Sequence, residues 1–363
     1  MLDLRLDAVS LTAAICDVPS VSGDEKPLAD AVERALRALP HLEVFRDGDA
    51  VVARTQLGRP ERVVLAGHLD TVPIAANLPT RLEGGLTDGV LHGRGTVDMK
   101  GGVAVQLRIA ATMAEPSRDV TFIFYDNEEV DADRNGLGRL ARAHPEWLAA
   151  DFAVLLEPTA GQVEGGCNGT IRVEVTTRGT AAHSARAWMG RNAIHEAGRV
   201  LARLQLYAAR EVAVDGLVYR ECLNAVRIFG GVANNVIPDV CVVAVNYRFA
   251  PDRSLAEAEQ HLRELFEGFE VTVVDGAVGA RPGLDHPAAA AFVAAIGGEP
   301  KAKYGWTDVA RFSSLGVPAV NFGPGDALLA HKDDERCPAA QILRCEGALR
   351  RWLATPGVTR PGP

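Results

Sequence analysis

The stretch DVTFIFYDNEE, residues 119–129, joins a strand-like run to an acidic end. Residues 121–125 form an apolar, aromatic run that predicts a buried β-strand. The run stops in the acidic sequence DNEE at residues 126–129. Buried carboxylates without partners are costly, so they need protons, cations or metal ions nearby. A solvated loop would explain this strand end taken alone, and the interpretation therefore depends on the residues at the ends of the other predicted strands.

The composition of the 363-residue chain is that of a soluble globular protein of about two domains. Hydrophobic residues make up 47% and charged residues 23%, which is ample material for a core. A formal net charge of −9, with no basic run, argues against a nucleic-acid partner. No apolar stretch approaches the roughly 20 residues of a membrane span. The N-terminus lacks the basic start and clean apolar segment of a signal peptide.

The six cysteines are scattered and form no C-x-x-C pair. This spacing argues against a zinc ribbon or a disulfide framework. We therefore expect most of them to be buried apolar fillers, and the protein to be cytoplasmic, in a reducing compartment.

Helices and strands alternate in the first half of the chain, which predicts an α/β domain with a mainly parallel sheet and helices on both faces. A helix is expected at residues 24–39, with a cap signal at Ser22 or Asp24. The further expected elements are the strand ERVVLAG, the helix DMKGGVAVQLRIAATMAE and the strands DVTFIFYD and DFAVLLEP. Functional groups gather at the carboxyl ends of the strands in such folds.

The middle of the chain follows a different plan, with the order βαββαβ of a ferredoxin-like domain. Its expected strands are GTIRVEVTTRG, CLNAVRIFGG, CVVAVNYRFAP and FEVTVVDGAV, and its expected helices are NAIHEAGRVLARLQLYA and SLAEAEQHLRELFEG. We therefore predict one discontinuous α/β domain, residues 1–169 and 281–363, interrupted by a smaller domain at 170–280. The smaller domain has edge strands that can pair with a twofold mate, which predicts a homodimer.

Histidines and acids stand at the predicted functional edge of the α/β sheet. They are His68, Asp70, Asp98, Glu128, Glu129, Glu157 and His331. Each alone has an ordinary explanation, as a core histidine, a helix cap or a solvated turn. Together, imidazoles and carboxylates suit zinc or a similar divalent ion. The set is larger than one ion with an open position needs, so it predicts two ions about 3.5–4 Å apart with a bridging carboxylate.

The two adjacent glutamates can have different tasks. Neighbouring side chains of an extended chain point to opposite sides, so one glutamate can bind metal while the other stays free as a base. Composition does not say which of Glu128 and Glu129 has which task. Asp70 stands two residues from His68, on the same side of an extended chain, and can orient its imidazole.

Several motifs in this order resemble the acetylornithine deacetylase, succinyl-diaminopimelate desuccinylase and carboxypeptidase family of two-zinc amidohydrolases. The motifs are GHLDTVP, GRGTVDMKGG, NEEV, LEPT, AAHSARAWMGRNAI and GVANNVIPD. The resemblance covers nearly the whole chain. Within the family, the stretches ECLNAVRIF, KYGWTDVARFSSLGVPAVNFGPGD and AHKDDERCP resemble the actinobacterial type of the desuccinylases.

The resemblance implies a role for each residue of the set. One ion would be held by His68, Asp98 and Glu157, and the other by Asp98, Glu129 and His331. Glu128 would be the general base and Asp70 the support of His68. The resemblance also implies zinc, with cobalt as the alternative metal, and a cis peptide bond between Asp98 and Met99.

The inserted domain resembles the lid and dimerisation domain of that family. His183 matches a histidine that reaches a neighbouring active site in the dimer and steadies the oxyanion. The chain departs from a better-known branch at Cys167 and Asn168, where that branch has a pair of arginines. We expect the anionic substrate to be met by other side chains, each of which also has an ordinary structural explanation. These candidates are Arg186, Asn234, Asn235, Arg248 and Thr307.

The implied activity is hydrolysis of N-succinyl-L,L-2,6-diaminopimelate to succinate and diaminopimelate, in the synthesis of lysine and cell-wall precursors. A sister activity, as acetylornithine deacetylase, aminoacylase or dipeptidase, shares the metal residues and differs in the pocket. A metal-binding protein without catalysis is the alternative from another class. The presence of Glu128 argues against that alternative, because metal binding does not require a spare base.

Overall fold

The computed structural model describes residues 2–356 of the chain. The helices are α1 (Ala8–Cys16), α2 (Lys26–Arg37), α3 (Lys100–Thr112), α4 (Gly136–Ala143), α5 (Pro145–Leu148), α6 (Ala193–Leu206), α7 (Leu255–Leu265), α8 (Pro287–Ile296), α9 (Val309–Ser314) and α10 (Ala339–Ala354). The first nine strands are β1 (Glu43–Asp47), β2 (Ala50–Arg54), β3 (Arg62–His68), β4 (Arg81–Glu83), β5 (Val90–His92), β6 (Asp119–Tyr125), β7 (Phe152–Leu155), β8 (Glu164–Gly165) and β9 (Gly169–Arg178). The remaining strands are β10 (Ala182–His183), β11 (Glu211–Val214), β12 (Leu217–Arg220), β13 (Cys222–Gly230), β14 (Val236–Ile237), β15 (Val240–Phe249), β16 (Glu270–Ala277), β17 (Lys301–Ala302), β18 (Ala319–Asn321) and β19 (Arg336–Pro338).

The first compact unit contains residues 2–166, 282–302 and 307–356. Its main sheet has the strand order β1-β2-β6-β3-β7-β18-β8-β17. The four neighbours β6, β3, β7 and β18 are parallel, whereas β1 and β2 add an antiparallel edge. Helices α1, α2, α3, α8 and α10 share one apolar core with these strands. The predicted α/β architecture with a mainly parallel sheet is confirmed.

The register of the parallel strands places the candidate site. His68, the last residue of β3, lies opposite Tyr125, the last residue of β6. Ala66 of β3 lies opposite Leu155, the last residue of β7. The three strands therefore end nearly level, and the residues after them gather at one edge of the sheet. Every residue of β6 is buried, as the apolar run predicted.

Asp119 begins β6 and anchors the chain before β3. Its carboxylate is buried and accepts hydrogen bonds from Thr55 Oγ1 at 2.7 Å, Leu57 N at 2.8 Å and Arg59 N at 2.8 Å. Burial alone would raise the pKa of Asp119, but these hydrogen bonds outweigh it and hold the pKa below its usual value. The charged form is thus the one that stabilises the fold.

Asp119→Asn should lower the free energy of unfolding by about 1–3 kcal/mol at neutral pH, because the new amide group presents a donor to backbone donors. A depressed pKa stabilises the fold above the unfolded value of 3.8 and ceases to do so as the pH falls through the folded value. The difference between variant and wild type should therefore shrink below that pH in urea unfolding. Asp285→Asn, at an exposed position, is the control and should change stability by less than about 0.5 kcal/mol. Equal stability of Asp119→Asn and wild type at neutral pH would contradict this account.

The second compact unit contains residues 167–281 and 303–306. Its antiparallel sheet has the order β13-β15-β9-β16, and α6 and α7 contribute to its apolar core. The sequence of elements β9, α6, β13, β15, α7 and β16 confirms the predicted ferredoxin-like plan.

A hairpin of β11 and β12 in the second unit is absent from the predicted elements. Its turn places Asp215 at φ 46° and Gly216 at φ 85°. An Asp-Gly pair between short apolar strands is a strong hairpin signal, so this hairpin could have been predicted from the sequence.

Two further properties of the chain concern membranes and cysteines. Within residues 2–356, no helix combines the length and the apolar character needed to cross a bilayer. All six cysteines are free thiols, and five of them are buried. The expectation of buried apolar fillers is therefore confirmed for most of the cysteines.

Candidate metal centre

Asp98 lies between two histidines from different parts of the chain. Its Oδ1 is 3.2 Å from His68 Nε2, and its Oδ2 is 3.3 Å from His331 Nε2. His331 Nε2 is also 2.9 Å from Glu129 Oε1. Each oxygen of one carboxylate thus faces a different imidazole, which is the arrangement that a bridging ligand of two ions requires.

The ligand atoms of His68, Asp98 and Glu129 all lie within 4.8 Å of one another. The peptide bond between Asp98 and Met99 is cis, as the resemblance implied. Glu157 follows β7 by two residues and is buried. The structure therefore brings His68, Asp98, Glu129 and His331 together, and it places Glu157 just after β7, the strand next to β3.

The two glutamates in the turn after β6, Glu128 and Glu129, differ in the side chains that they contact. Asp70 is fully buried and accepts hydrogen bonds from Glu128 N and Glu129 N, both at 3.0 Å. Asn127, at φ 57°, bends the chain before them. Glu129 contacts His331, whereas Glu128 lies outside the group of three close ligands. The extended chain that we expected at this position is a bend, but the two side chains still differ in their surroundings.

The imidazole of His68 is oriented through its other nitrogen. His68 Nδ1 lies 3.0 Å from the backbone oxygen of Asp70 and 3.5 Å from its Oδ1. With Nδ1 as the donor, Nε2 keeps its lone pair for a ligand on the side of Asp98. The nearer acceptor is the backbone oxygen of Asp70, and its carboxylate mainly holds the glutamate turn.

The charges of the cluster are crowded. Burial raises the pKa of Glu128 well above its usual value, and the neighbouring carboxylates of Glu129 and Glu157 add to the effect against the opposing charge of His68. Burial and the charge of Asp98 likewise raise the pKa of Glu129. Asp98 differs, because hydrogen bonds from the two histidines hold its pKa well below the usual value despite its burial. Crowded carboxylates with two imidazoles form a donor set that fits divalent cations.

The helix cap predicted from Ser22 or Asp24 is wrong. Helix α2 begins at Lys26 and has no side-chain cap. The Ser22 hydroxyl instead donates to Asp70 Oδ2 at 2.7 Å, and the buried Glu25 accepts from Asn127 N at 3.0 Å. A cap pattern and a hydrogen bond to a distant carboxylate use the same hydroxyl, so the sequence did not distinguish them.

Five of the candidate residues belong to the second unit. His183 Nδ1 accepts a hydrogen bond from Ala185 N at 3.1 Å. In the neutral imidazole the ring proton is then on Nε2, which can act as a donor. Arg186 is exposed, as are Asn234 and Asn235, and Arg248 Nε donates to Asn246 Oδ1 at 3.1 Å.

Thr307 and Asn168 make structural hydrogen bonds that the sequence did not predict. Thr307 is buried in the first unit, where its hydroxyl donates to Asn321 Oδ1 at 2.9 Å. Cys167 and Asn168 are buried, and Asn168 Nδ2 donates to the backbone oxygen of Arg220 at 2.8 Å. The place where a related branch has arginines thus supports the hairpin here.

A buried pair next to the cluster, Arg94 and Glu335, was not among the residues predicted from the sequence. Glu335 Oε1 accepts from Asp98 N at 3.1 Å, and Arg94 Nη1 donates to Glu335 Oε2 at 2.8 Å. The signal available was a glutamate at the end of the run HKDDE. Nothing in that run of charges distinguishes the one buried acid from its exposed neighbours.

Residues 64–355 match the sequence profile of peptidase family M20/M25/M40. The chain belongs to this family. A Mycobacterium tuberculosis protein with the provisional name succinyl-diaminopimelate desuccinylase DapE is 57% identical over 97% of this chain and 99% of its own. The succinyl-diaminopimelate desuccinylase of Corynebacterium glutamicum is 50% identical over 97% of this chain and 98% of its own.

The fold of the M20 family also matches in solved structures. The YXEP protein of Bacillus subtilis, described as a dinuclear metal-binding peptidase of the M20 family, superposes with a TM-score of 0.70. The match covers 97% of this chain and 98% of that protein at 16% identity, so it supports the fold alone. The α/β fold with a mixed, mostly parallel central sheet is thus that of the M20 family.

Proposed function

We propose that this protein is a metal-dependent amidohydrolase that cleaves N-succinyl-L,L-2,6-diaminopimelate to succinate and L,L-2,6-diaminopimelate. The observation that supports a metal-dependent hydrolase is the position of Asp98, whose two oxygens face His68 and His331. The identity of 50% over nearly the whole chain with a named desuccinylase supports the substrate. The place of this reaction is the synthesis of lysine and peptidoglycan precursors.

The first metal site would be formed by His68, Asp98 and Glu157, and the second by Asp98, Glu129 and His331. The proposed metal is zinc, with cobalt as the alternative. The chemistry that such ions supply when bound is polarisation of the amide carbonyl and a lower pKa of the attacking water.

Glu128 is the proposed general base. Its backbone N donates to Asp70 Oδ1, and Glu128 does not belong to the close group of His68, Asp98 and Glu129. A carboxylate that is not itself a metal ligand can take a proton from water and pass it to the leaving amine. Asp70 then acts by holding the turn of both glutamates and the ring of His68.

The second unit would supply the groups that meet the substrate. His183 has its Nε2 proton available for the developing oxyanion, and in a dimer it would act on the neighbouring active site. Arg186, Asn234, Asn235 and Arg248 are the proposed donors to the substrate carboxylates. The Thr307 hydroxyl already donates to Asn321, so it can serve the substrate only as an acceptor.

Steady-state rates on a panel of N-acyl amino acids test the proposed substrate. The zinc- or cobalt-loaded protein should show its highest kcat/KM with N-succinyl-L,L-2,6-diaminopimelate. N-acetylornithine, N-acetyl amino acids and dipeptides are the comparators for the sister activities. A higher kcat/KM for any comparator would overturn the substrate, and no hydrolysis of any amide by metal-loaded protein would overturn the enzyme.

We propose a homodimer through the second unit. Strand β13 is an edge strand with a free side, and its residues Val226, Ile228 and Phe229 are about half exposed. An exposed apolar edge strand is a surface that another strand can cover. A twofold axis would pair this strand with its own copy. Free thiols at all cysteines are typical of a reducing compartment and support a cytoplasmic location.

Ile228→Lys should convert the dimer to a monomer, because it places like charges near each other across the twofold axis at a cost of several kcal/mol. Val274→Lys, at an exposed position of the other edge strand β16, is the matched control and should stay dimeric. Sedimentation velocity at micromolar concentration measures both. The Ile228→Lys monomer should also lose activity if His183 acts in trans. A fully active monomeric wild type would contradict both the dimer and that role.

A further inference from the structure

The buried pair of Arg94 and Glu335 lies behind the candidate metal centre without contributing a ligand to it. The side chains are 3% and 1% exposed, and Arg94 Nη1 is 2.8 Å from Glu335 Oε2. A buried ion pair adds little net stability to a fold, because removing two charges from water is costly. The contacts of this pair show what else it does.

On one side, Glu335 holds the backbone of the bridging aspartate. Its Oε1 accepts hydrogen bonds from Val97 N at 2.9 Å and from Asp98 N at 3.1 Å. These two amides immediately precede the cis peptide bond that leads into α3. The carboxylate of Glu335 therefore fixes the position from which the Asp98 side chain reaches both histidines.

On the other side, the pair holds the loop that carries His331. Residues 331–334 are all exposed, and His331 has a φ of 64°, so this loop has little packing of its own. Glu335 is the first buried residue after it. Arg94 Nη1 also donates to the backbone oxygen of Lys332 at 3.0 Å, and Gly93 N donates to the backbone oxygen of Glu335 at 3.0 Å.

Arg94 reaches a third segment as well. Its Nε donates to the backbone oxygen of Pro73 at 3.1 Å, in the loop that comes after His68 and Asp70. One guanidinium thus joins the loop after β3, the turn before α3 and the loop of His331. A planar group with several donors in fixed directions is suited to such a task, and a lysine is not.

We propose that Arg94 and Glu335 are positioning residues that set the metal affinity of the site between Asp98 and His331. The inference rests on the proposed metal centre. The pair makes the Asp98 turn and the His331 loop move as one body, so that both ligands are at binding distance before an ion arrives. Outer partners of this kind typically change metal affinity by about 10–100-fold when they are removed.

Glu335→Gln is the principal test. A glutamine has one acceptor and one donor end, so its amide group must face either Arg94 or the amides of Val97 and Asp98, and a donor then meets a donor. Titration of apo-protein with zinc or cobalt against a chromophoric chelator measures both dissociation constants. The variant should bind one of the two ions about 10–100-fold more weakly than wild type does.

Glu61→Gln is the matched control, because Glu61 forms the same kind of pair with Arg118 at 2.7 Å, before the opposite end of β3. The control should lower the melting temperature while both metal affinities stay at the wild-type values. Wild-type affinities in Glu335→Gln, or an equal loss in Glu61→Gln, would overturn the proposal. If Glu335→Gln does not fold, Arg94→Lys keeps the charge with fewer donors and should show a weaker loss in the same direction, and unchanged affinity there would also overturn it.

The failure of this inference is distinguishable from failure of the metal centre itself. Wild-type protein that binds no divalent ion contradicts the metal centre and the positioning role together. Wild-type protein that binds two ions, with Glu335→Gln binding both equally well, contradicts the positioning role alone. Neither outcome depends on measuring activity.

Discussion

Glu128→Gln should lower kcat by about 10²–10⁴-fold, the contribution typical of general acid–base catalysis, while two metal ions stay bound. The glutamine keeps the size of the side chain and the backbone hydrogen bond to Asp70, but it cannot take a proton from water. The loss should therefore appear in kcat, with little change in metal content. Activity and bound metal are to be measured on the same samples.

Glu129→Gln is the comparison that separates the two adjacent glutamates. Glu129 Oε1 is 2.9 Å from His331 Nε2. Loss of the Glu129 carboxylate should therefore weaken one metal site. Excess metal should then restore part of the activity of Glu129→Gln and none of that of Glu128→Gln. Loss of metal from Glu128→Gln, with Glu129→Gln fully loaded but inactive, would show that the roles are reversed. Normal turnover in both variants would contradict the two-metal hydrolase.

Asp98→Asn should weaken both metal sites, because the two oxygens of Asp98 face His68 and His331. The asparagine keeps an acceptor on one side and turns a donor amide towards the other. Both dissociation constants should rise by more than the about 10–100-fold that loss of an outer partner costs. Excess metal should restore less activity than it does in Glu129→Gln.

Competition with a chelator measures the two affinities of Asp98→Asn, and the exposed Asp285→Asn is again the control. Loss of only one ion, with the other affinity unchanged, would show that Asp98 does not bridge. The melting temperature of the apo-protein provides a check that the variant is folded.

The sequence predicted that these histidines and acids would meet, because they come after strands whose ends are nearly level. The register of β3 and β6 sets His68 beside Tyr125, and any parallel sheet brings residues after such strands to one edge. The alternation of helices and strands was enough to predict this. The ferredoxin-like plan was also readable from the order of elements around β9 to β16.

The residues that hold these side chains in position, such as Glu335 and Ser22, were not predictable in the same way. Glu335 comes after two aspartates in the run HKDDE, and all three acids look equally exposed in sequence. Only the tertiary fold shows that Glu335 is 1% exposed and reaches the amide of Asp98. Ser22 is similar, because its hydroxyl suits a helix cap but binds Asp70, which is 48 residues away. Such contacts depend on chain segments that no local pattern connects.

Anomalous X-ray diffraction at the zinc edge, from crystals of zinc-loaded protein, tests the two-metal centre most directly. For the two-metal centre we expect two peaks about 3.5–4 Å apart, one beside each oxygen of Asp98, with His68 at one ion and His331 at the other. A single peak, or two peaks that Asp98 does not bridge, would contradict it.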